Sequence, residues 1–264
     1  MLRQRVATAA IGLPLLLGLL WLGGAWWTVG IAAVLAVGML ETLHLGGVPL
    51  RSAEGAVVVL TAVILGVNAH VGRSTWLAAF VLVPVAGATW TVWRSAELRS
   101  AVRRWAVALV ALAYVGVLGS AFLLLRRLPD GRDWTLLAFA ITFAADTGAY
   151  FTGRTLGRHP MAGRISPKKT VEGALGGLAS AALVGALIGP WAATGIPWWQ
   201  GALLALVATF ASQAGDLAES AAKRAVGVKD SGRLLPGHGG VLDRIDSLLL
   251  AGPVVYLYVG WVRL

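Results

Sequence analysis

The sequence predicts an all-α, polytopic integral membrane protein with about nine transmembrane helices. Of its 264 residues 58% are hydrophobic and only 13% charged, the mean hydropathy is +0.77, and apolar runs of spanning length recur between short basic loops. A water-soluble globule of this composition would lack the polar surface to cover itself. The same figures exclude a disordered or collagen-like chain. The absence of cysteine removes disulfides, iron–sulfur clusters, thiolate zinc sites and cysteine nucleophiles, and leaves the redox compartment open.

A helix crosses a bilayer with about 20 mostly apolar residues. Nine segments meet that length approximately: 6–22, 25–47, 56–71, 75–93, 105–125, 134–153, 174–196, 199–220 and 242–262. The third is short, and the ninth opens on Asp243-Arg244-Ile245-Asp246 before Leu248-Leu249-Leu250. The first follows Arg3 and Arg5 and precedes Gly23-Gly24-Ala25, a faint likeness to a cleavage site; an uncleaved first helix is the simpler reading.

The net charge of +10 and a pI near 11.0 would suggest nucleic-acid binding in a soluble domain. Here the basic residues sit in loops, where they first of all set topology, so no nucleic-acid partner is expected. With nine spans and the N-terminus inside, only Arg73, Arg126, Arg127, Arg132 and Arg263 of the 22 Lys and Arg fall outside. That asymmetry predicts an N-terminus in and a C-terminus out. Trp26, Trp27, Trp76, Trp90 and Trp93 fit interfacial aromatic belts.

One continuous membrane domain is expected, with residues 1–130 as scaffold helices and 131–264 as the catalytic region. From position 141 on the acidic residues are Asp146, Glu172, Asp216, Glu219, Asp230, Asp243 and Asp246, seven of the 12 in the chain, and any chemistry is expected there. A carboxylate within an apolar span costs about 2.5–3.5 kcal/mol at the helix centre, so it usually faces a protein interior and a partner.

On a helix Asp216, Glu219, Ser220 and Lys223 fall at i, i+3, i+4 and i+7, one polar stripe on an apolar cylinder. Asp243 and Asp246, three apart, share a side of the next helix. Converging, the two helices would offer three carboxylates, Asp216, Asp243 and Asp246, to a divalent cation. Magnesium suits hard oxygen donors and bridges carboxylates to phosphates. The plainer alternative is an ion-pair cluster in which these carboxylates neutralise Lys223 and Arg244.

Between the helices lies a glycine-rich loop, Lys229-Asp230-Ser231-Gly232-Arg233 followed by Leu235-Pro236-Gly237-His238-Gly239-Gly240. Glycine allows close backbone approach to a ligand, and Lys229 and Arg233 carry charge for phosphates. His238 alone reads more readily as a structural loop histidine than as a base. A second basic loop, Ser166-Pro167-Lys168-Lys169-Thr170-Val171-Glu172-Gly173, offers two lysines for phosphate or for topology, and Ser166 or Thr170 as a helix cap. Gly173 and Gly177 form a small-residue spacing suited to helix packing.

Together, Ser220-Ala221-Ala222-Lys223-Arg224, Lys229-Asp230-Ser231-Gly232 and Leu235-Pro236-Gly237-His238-Gly239-Gly240-Val241-Leu242-Asp243-Arg244-Ile245-Asp246 resemble the signature of phosphatidate cytidylyltransferases, also called CDP-diacylglycerol synthases. Asp146-Thr147-Gly148-Ala149-Tyr150-Phe151-Thr152-Gly153-Arg154 and the 166–173 segment are similar to further motifs of that family. Ala222 and Arg158 depart from its usual bulkier apolar residue and lysine.

The resemblance implies an integral-membrane transferase that converts CTP and phosphatidic acid to CDP-diacylglycerol and pyrophosphate with magnesium, with or without a second, monovalent cation. It also implies a homodimer whose active site and N-terminus face the cytoplasm, in a bacterial cytoplasmic (inner) membrane. Carried over by residue, Asp216, Asp243 and Asp246 match acidic metal positions, and Lys223 a basic catalytic position beside them. Lys168, Lys169, Arg224, Lys229, Arg233, His238, Gly239 and Gly240 are the expected phosphate and substrate contacts. A cation-coupled transporter would instead show internal repeats and need no phosphate loop. A CDP-alcohol phosphotransferase would need an Asp-Gly motif followed by Ala-Arg, which this chain lacks. A CTP-dependent lipid kinase differs only in the phosphorus attacked.

Overall fold

The computed structural model describes residues 2–71, 76–191 and 195–262, and their side chains except those of residues 2–7, 9, 76–80 and 262. Arg73 and Arg263, expected on the outer side, lie outside the described residues, as do the side chains of Arg3, Arg5 and Trp76. The architecture is all-α with one small hairpin. In order, the elements are α1 (Leu2–Leu22), α2 (Gly24–Leu45), α3 (Ala53–Val71), α4 (Trp76–Arg94) and α5 (Leu98–Ala111), which passes through a π-helical segment (Leu112–Val117) into α6 (Leu118–Leu125). Then come α7 (Gly131–Leu156), β1 (Pro160–Ala162), β2 (Ser166–Thr170), α8 (Val171–Ile188), α9 (Trp198–Ala225) and α10 (Leu242–Val262).

Among the described residues six helices are long and apolar enough to cross a membrane: α2, α3, Leu98–Leu125 as one rod, α7, α8 and α9. They mark the chain as a membrane protein. The sequence pointed to nine, and the difference lies in three segments. Parts of α1 and α4 lie outside the residues whose side chains are described, and α10 carries Asp243, Arg244 and Asp246 in its first two turns. The third span is longer than expected, starting at Ala53, because Glu54 is accommodated inside it. That carboxylate is buried and pairs with Arg104 Nε of α5 at 3.0 Å.

The chain divides into two compact units, residues Met1–Leu123 with Asp230–Arg244, and Leu124–Lys229 with Ile245–Leu264. In the first, α2 packs on α3 and α5. Its inward stripe, Ile31, Leu35, Gly38, Met39 and Leu43, follows the helical period, as does Val58, Ala62, Leu65 and Ala69 on α3. Trp27 corrects the aromatic-belt expectation. It is a core residue, 2% exposed, whose indole N–H donates to the Phe122 carbonyl at 3.0 Å, whereas Trp26, Trp90 and Trp93 are exposed. A buried indole needs such an acceptor, and a backbone carbonyl supplies it.

In the second unit α8 lies against both α7 and α9. The buried residues of α8 are Gly173, Gly177, Ala181 and Gly185, one every four positions. Side chains this small let backbones approach closely. A methyl group at Gly177 would stand 2.9 Å from the Ala145 carbonyl of α7, and one at Gly185 2.6 Å from Ala205 Cβ of α9. The Gly173/Gly177 spacing therefore packs helices within the chain. α10 joins this unit through Trp134 and Tyr258, whose ring centroids lie 5.9 Å apart, and through the Tyr258 hydroxyl, which donates to Gln200 Oε1 at 2.8 Å.

The basic segment before α8, expected as a loop, contains an antiparallel hairpin that pairs Pro160 with Thr170 and Ala162 with Ser166. Ser166 thus belongs to a strand, and Thr170 is the cap: its Oγ1 accepts from Gly173 N at 3.1 Å.

Candidate active site

In the second unit the stripe on α9 forms as the spacing predicts. Lys223 Nζ donates to Glu219 Oε2 at 2.7 Å, one turn away, and both side chains are buried. Ser220 Oγ donates to Asp216 Oδ1 at 3.4 Å, and Asp216 Oδ2 takes an ion pair from Lys169 of β2. The hairpin therefore delivers Lys169 to the acidic stripe, while Lys168, its neighbour along an extended strand, points away and is exposed.

Asp246 stands close to Asp216, Glu219 and Lys223, and its Oδ1 accepts from Ser247 N at 2.7 Å. Gly215 makes this approach of α10 to α9 feasible, since a methyl there would lie 2.7 Å from the Asp246 carbonyl. Arg224 is held by two carbonyls, Nε to Ile165 O at 3.3 Å and Nη1 to Val228 O at 2.9 Å, which ties the hairpin to the end of α9. Glu172 accepts from the backbone N–H groups of Arg158 and His159 at 3.0 and 3.2 Å and so closes the other end of the hairpin. Lys229 is exposed.

In the first unit the glycine-rich loop folds around two carboxylates. Asp243 Oδ2 accepts from Ser231 N at 2.9 Å, Ser231 Oγ at 2.9 Å and Gly240 N at 2.8 Å. The contact to Gly240, three residues back, gives a backbone N–H just before α10 a carboxylate acceptor. Gly239 adopts φ 82°, and a methyl there would reach within 2.6 Å of Asp243 Oδ2, so conformation and space both call for glycine. His238 is half-buried, with its backbone N–H donating to Leu235 O at 2.9 Å and its Nδ1 shielded from solvent. Arg233 is exposed.

The second carboxylate is Glu41 of α2. Its Oε1 accepts from Val241 N at 3.0 Å, and its Oε2 from Leu242 N at 2.8 Å and Ser231 Oγ at 3.2 Å. Sequence reasoning missed this residue by looking for chemistry only in the second half. The cost of a carboxylate in an apolar span applies equally to Glu41 and would have singled it out.

Among the described residues no group of three or more His, Asp or Glu side chains is gathered around one ion position. The ion-pair alternative is partly realised with other partners than expected, Lys169 on Asp216 and Lys223 on Glu219. The chemistry of the donor set nevertheless fits a hard cation. Asp216 and Asp246 are neighbouring carboxylates, the oxygen donors that a hard cation takes.

A model of the Cytidylyltransferase family matches residues 3–262. The chain is 36% identical to a phosphatidate cytidylyltransferase of Synechocystis sp., covering 97% of this chain and 96% of that one. It is also 36% identical to one of Brucella suis, over 97% and 93% of the two chains. With one of Staphylococcus haemolyticus it shares 32% identity over 96% and 97%. The likeness runs the length of the chain, and the protein belongs to the cytidylyltransferase family.

Proposed function

We propose that this protein is a phosphatidate cytidylyltransferase that joins CTP and phosphatidic acid into CDP-diacylglycerol and releases pyrophosphate. The observation that carries the reading is the end-to-end similarity to relatives of that name in a chain whose α9 bears a carboxylate and lysine stripe. An anionic oxygen of the lipid phosphate attacks the α-phosphorus of CTP in line. A new P–O bond forms, the bond from the α-phosphorus to the bridging oxygen breaks, and pyrophosphate leaves with that electron pair. The nucleophile is already ionised, so no strong general base is required.

The difficulty is charge, since two polyanions must meet and a third must depart. Lys223 and Arg224 on α9, Lys168 and Lys169 on the hairpin, and Lys229, Arg233 and His238 in the loop are the groups that bind phosphate. Gly239 and Gly240 leave the backbone open to it. Magnesium, held by Asp216, Asp243 and Asp246, would supply electrostatic stabilisation of the leaving pyrophosphate. Asp216 and Asp246 are supported by their proximity, and Asp243 by the sequence pattern it shares with the family.

The substrates account for the setting, because acyl chains stay in lipid while CTP comes from water. The asymmetry of Lys and Arg favours a cytoplasmic-side site and N-terminus, in a bacterial cytoplasmic membrane, and the family reading favours a homodimer. Isotopically labelled CTP tests the reaction itself. Label at the α-phosphorus is expected in the lipid product, and label at the γ-phosphorus in pyrophosphate; γ-label transferred to lipid, with CDP released, would replace this reading by a lipid kinase.

A further inference from the structure

We infer that Glu41 is a positioning residue for Asp243, holding the glycine-rich loop in the form that aims this carboxylate; the role rests on the transferase reading above. Three observations within the first unit carry it. Glu41 receives the backbone N–H groups of Val241 and Leu242 at the start of α10, at 3.0 and 2.8 Å. It therefore does from another helix what a capping side chain does locally, placing negative charge on exposed helical N–H groups.

Next, the Ser231 hydroxyl lies between the two carboxylates, 2.9 Å from Asp243 Oδ2 and 3.2 Å from Glu41 Oε2. A hydroxyl has one proton to donate, so its orientation is set jointly by both. Two anions this close persist because four backbone N–H groups serve them, those of Ser231 and Gly240 on Asp243 and those of Val241 and Leu242 on Glu41.

Finally, the loop is built tightly against Glu41. A methyl at Gly240 would overlap both the Ser231 hydroxyl and the Glu41 carboxylate, and one at Gly232 would overlap Glu41. Glycine at both positions admits a carboxylate that reaches in from α2. Asp243 thus has its direct holders, Ser231 and Gly240, fixed by a residue about 200 positions earlier in the chain. A supporting shell of this kind decides whether a reacting constellation keeps its geometry.

The test compares full-length wild-type, E41Q and E41D proteins purified in detergent. E41Q keeps the shape but turns one acceptor into a donor facing an N–H, and E41D keeps the charge on a shorter arm. For E41Q, amide hydrogen exchange across residues 230–242 is expected to accelerate at least about 10-fold while α7, α8 and α9 exchange as before. Its kcat is expected to fall on the order of 10-fold to 100-fold, with KM for phosphatidic acid within about twofold of wild type. E41D is expected to recover part of both. Unchanged exchange in E41Q, or kcat per folded molecule within about twofold of wild type, overturns the inference. A wild-type protein that makes no CDP-diacylglycerol would instead remove the transferase reading, and exchange across 230–242 would still decide whether Glu41 holds the loop.

Discussion

Lys223, proposed above to bind phosphate, is also one half of a buried ion pair. Its ammonium is buried against the Glu219 carboxylate, 2.7 Å away. Removing one member of a buried pair leaves an uncompensated charge and costs about 3–5 kcal/mol, whereas removing both is far milder. K223M is therefore expected to lower the melting temperature markedly and to abolish turnover. The double variant E219Q/K223M is expected to regain most of the thermal stability but no activity, because the charge proposed to bind phosphate is still missing. Melting curves and CDP-diacylglycerol formation, measured on the same preparations, check this. Recovery of activity in the double variant would reduce Lys223 to a structural partner. The α9 stripe was legible in the sequence because four residues at helical spacing announce a shared face. Lys169 on Asp216 was not, since that pair depends on a hairpin whose strands are only three and five residues long.

At the scale of the element, α8 owes its place to what it lacks. Its buried face is Gly173, Gly177, Ala181 and Gly185, which brings its backbone close to α7 and α9. A leucine at Gly177 has to displace the Ala145 carbonyl and Ala149, and overpacking of this kind typically costs about 1–3 kcal/mol. G177L is expected to lower the melting temperature in detergent. G12L, on α1 where nothing lies within 4 Å of an added methyl, is expected to leave it unchanged. Equal melting temperatures for the two variants would contradict the packing account. The glycine spacing was visible in the sequence, but its partner was not, because the same spacing serves packing within a chain or between chains. Trp27 failed for a related reason. Neighbouring tryptophans at the start of α2 look alike in sequence, and only the position of the Phe122 carbonyl distinguishes the buried one.

For the whole molecule, the class was legible from bulk composition, because apolar surface on this scale has no aqueous solution. The number of spans was less so. A hydropathy window sums local residues, and it gives the same weight to charges at a helix start, as in α10, whether they meet lipid, water or protein. The order of the chain was also misleading as a guide to the organisation of the site. Residues Asp230–Arg244 group with the N-terminal helices, and Glu41 bonds Val241 and Leu242 across a separation for which no local pattern exists. The helices expected to be scaffold thus contribute a carboxylate to the loop that carries the family signature.

The most direct measurement is made on purified wild-type and D243N proteins in detergent, given CTP and phosphatidic acid with and without magnesium, while pyrophosphate and labelled lipid are followed together. The wild type is expected to release pyrophosphate and form CDP-diacylglycerol in equal amounts, only with magnesium. D243N is expected to do neither while remaining folded and abundant in membranes. Folded wild-type protein that yields neither product would contradict the transferase assignment, and D243N turning over near the wild-type rate would contradict the role given to Asp243.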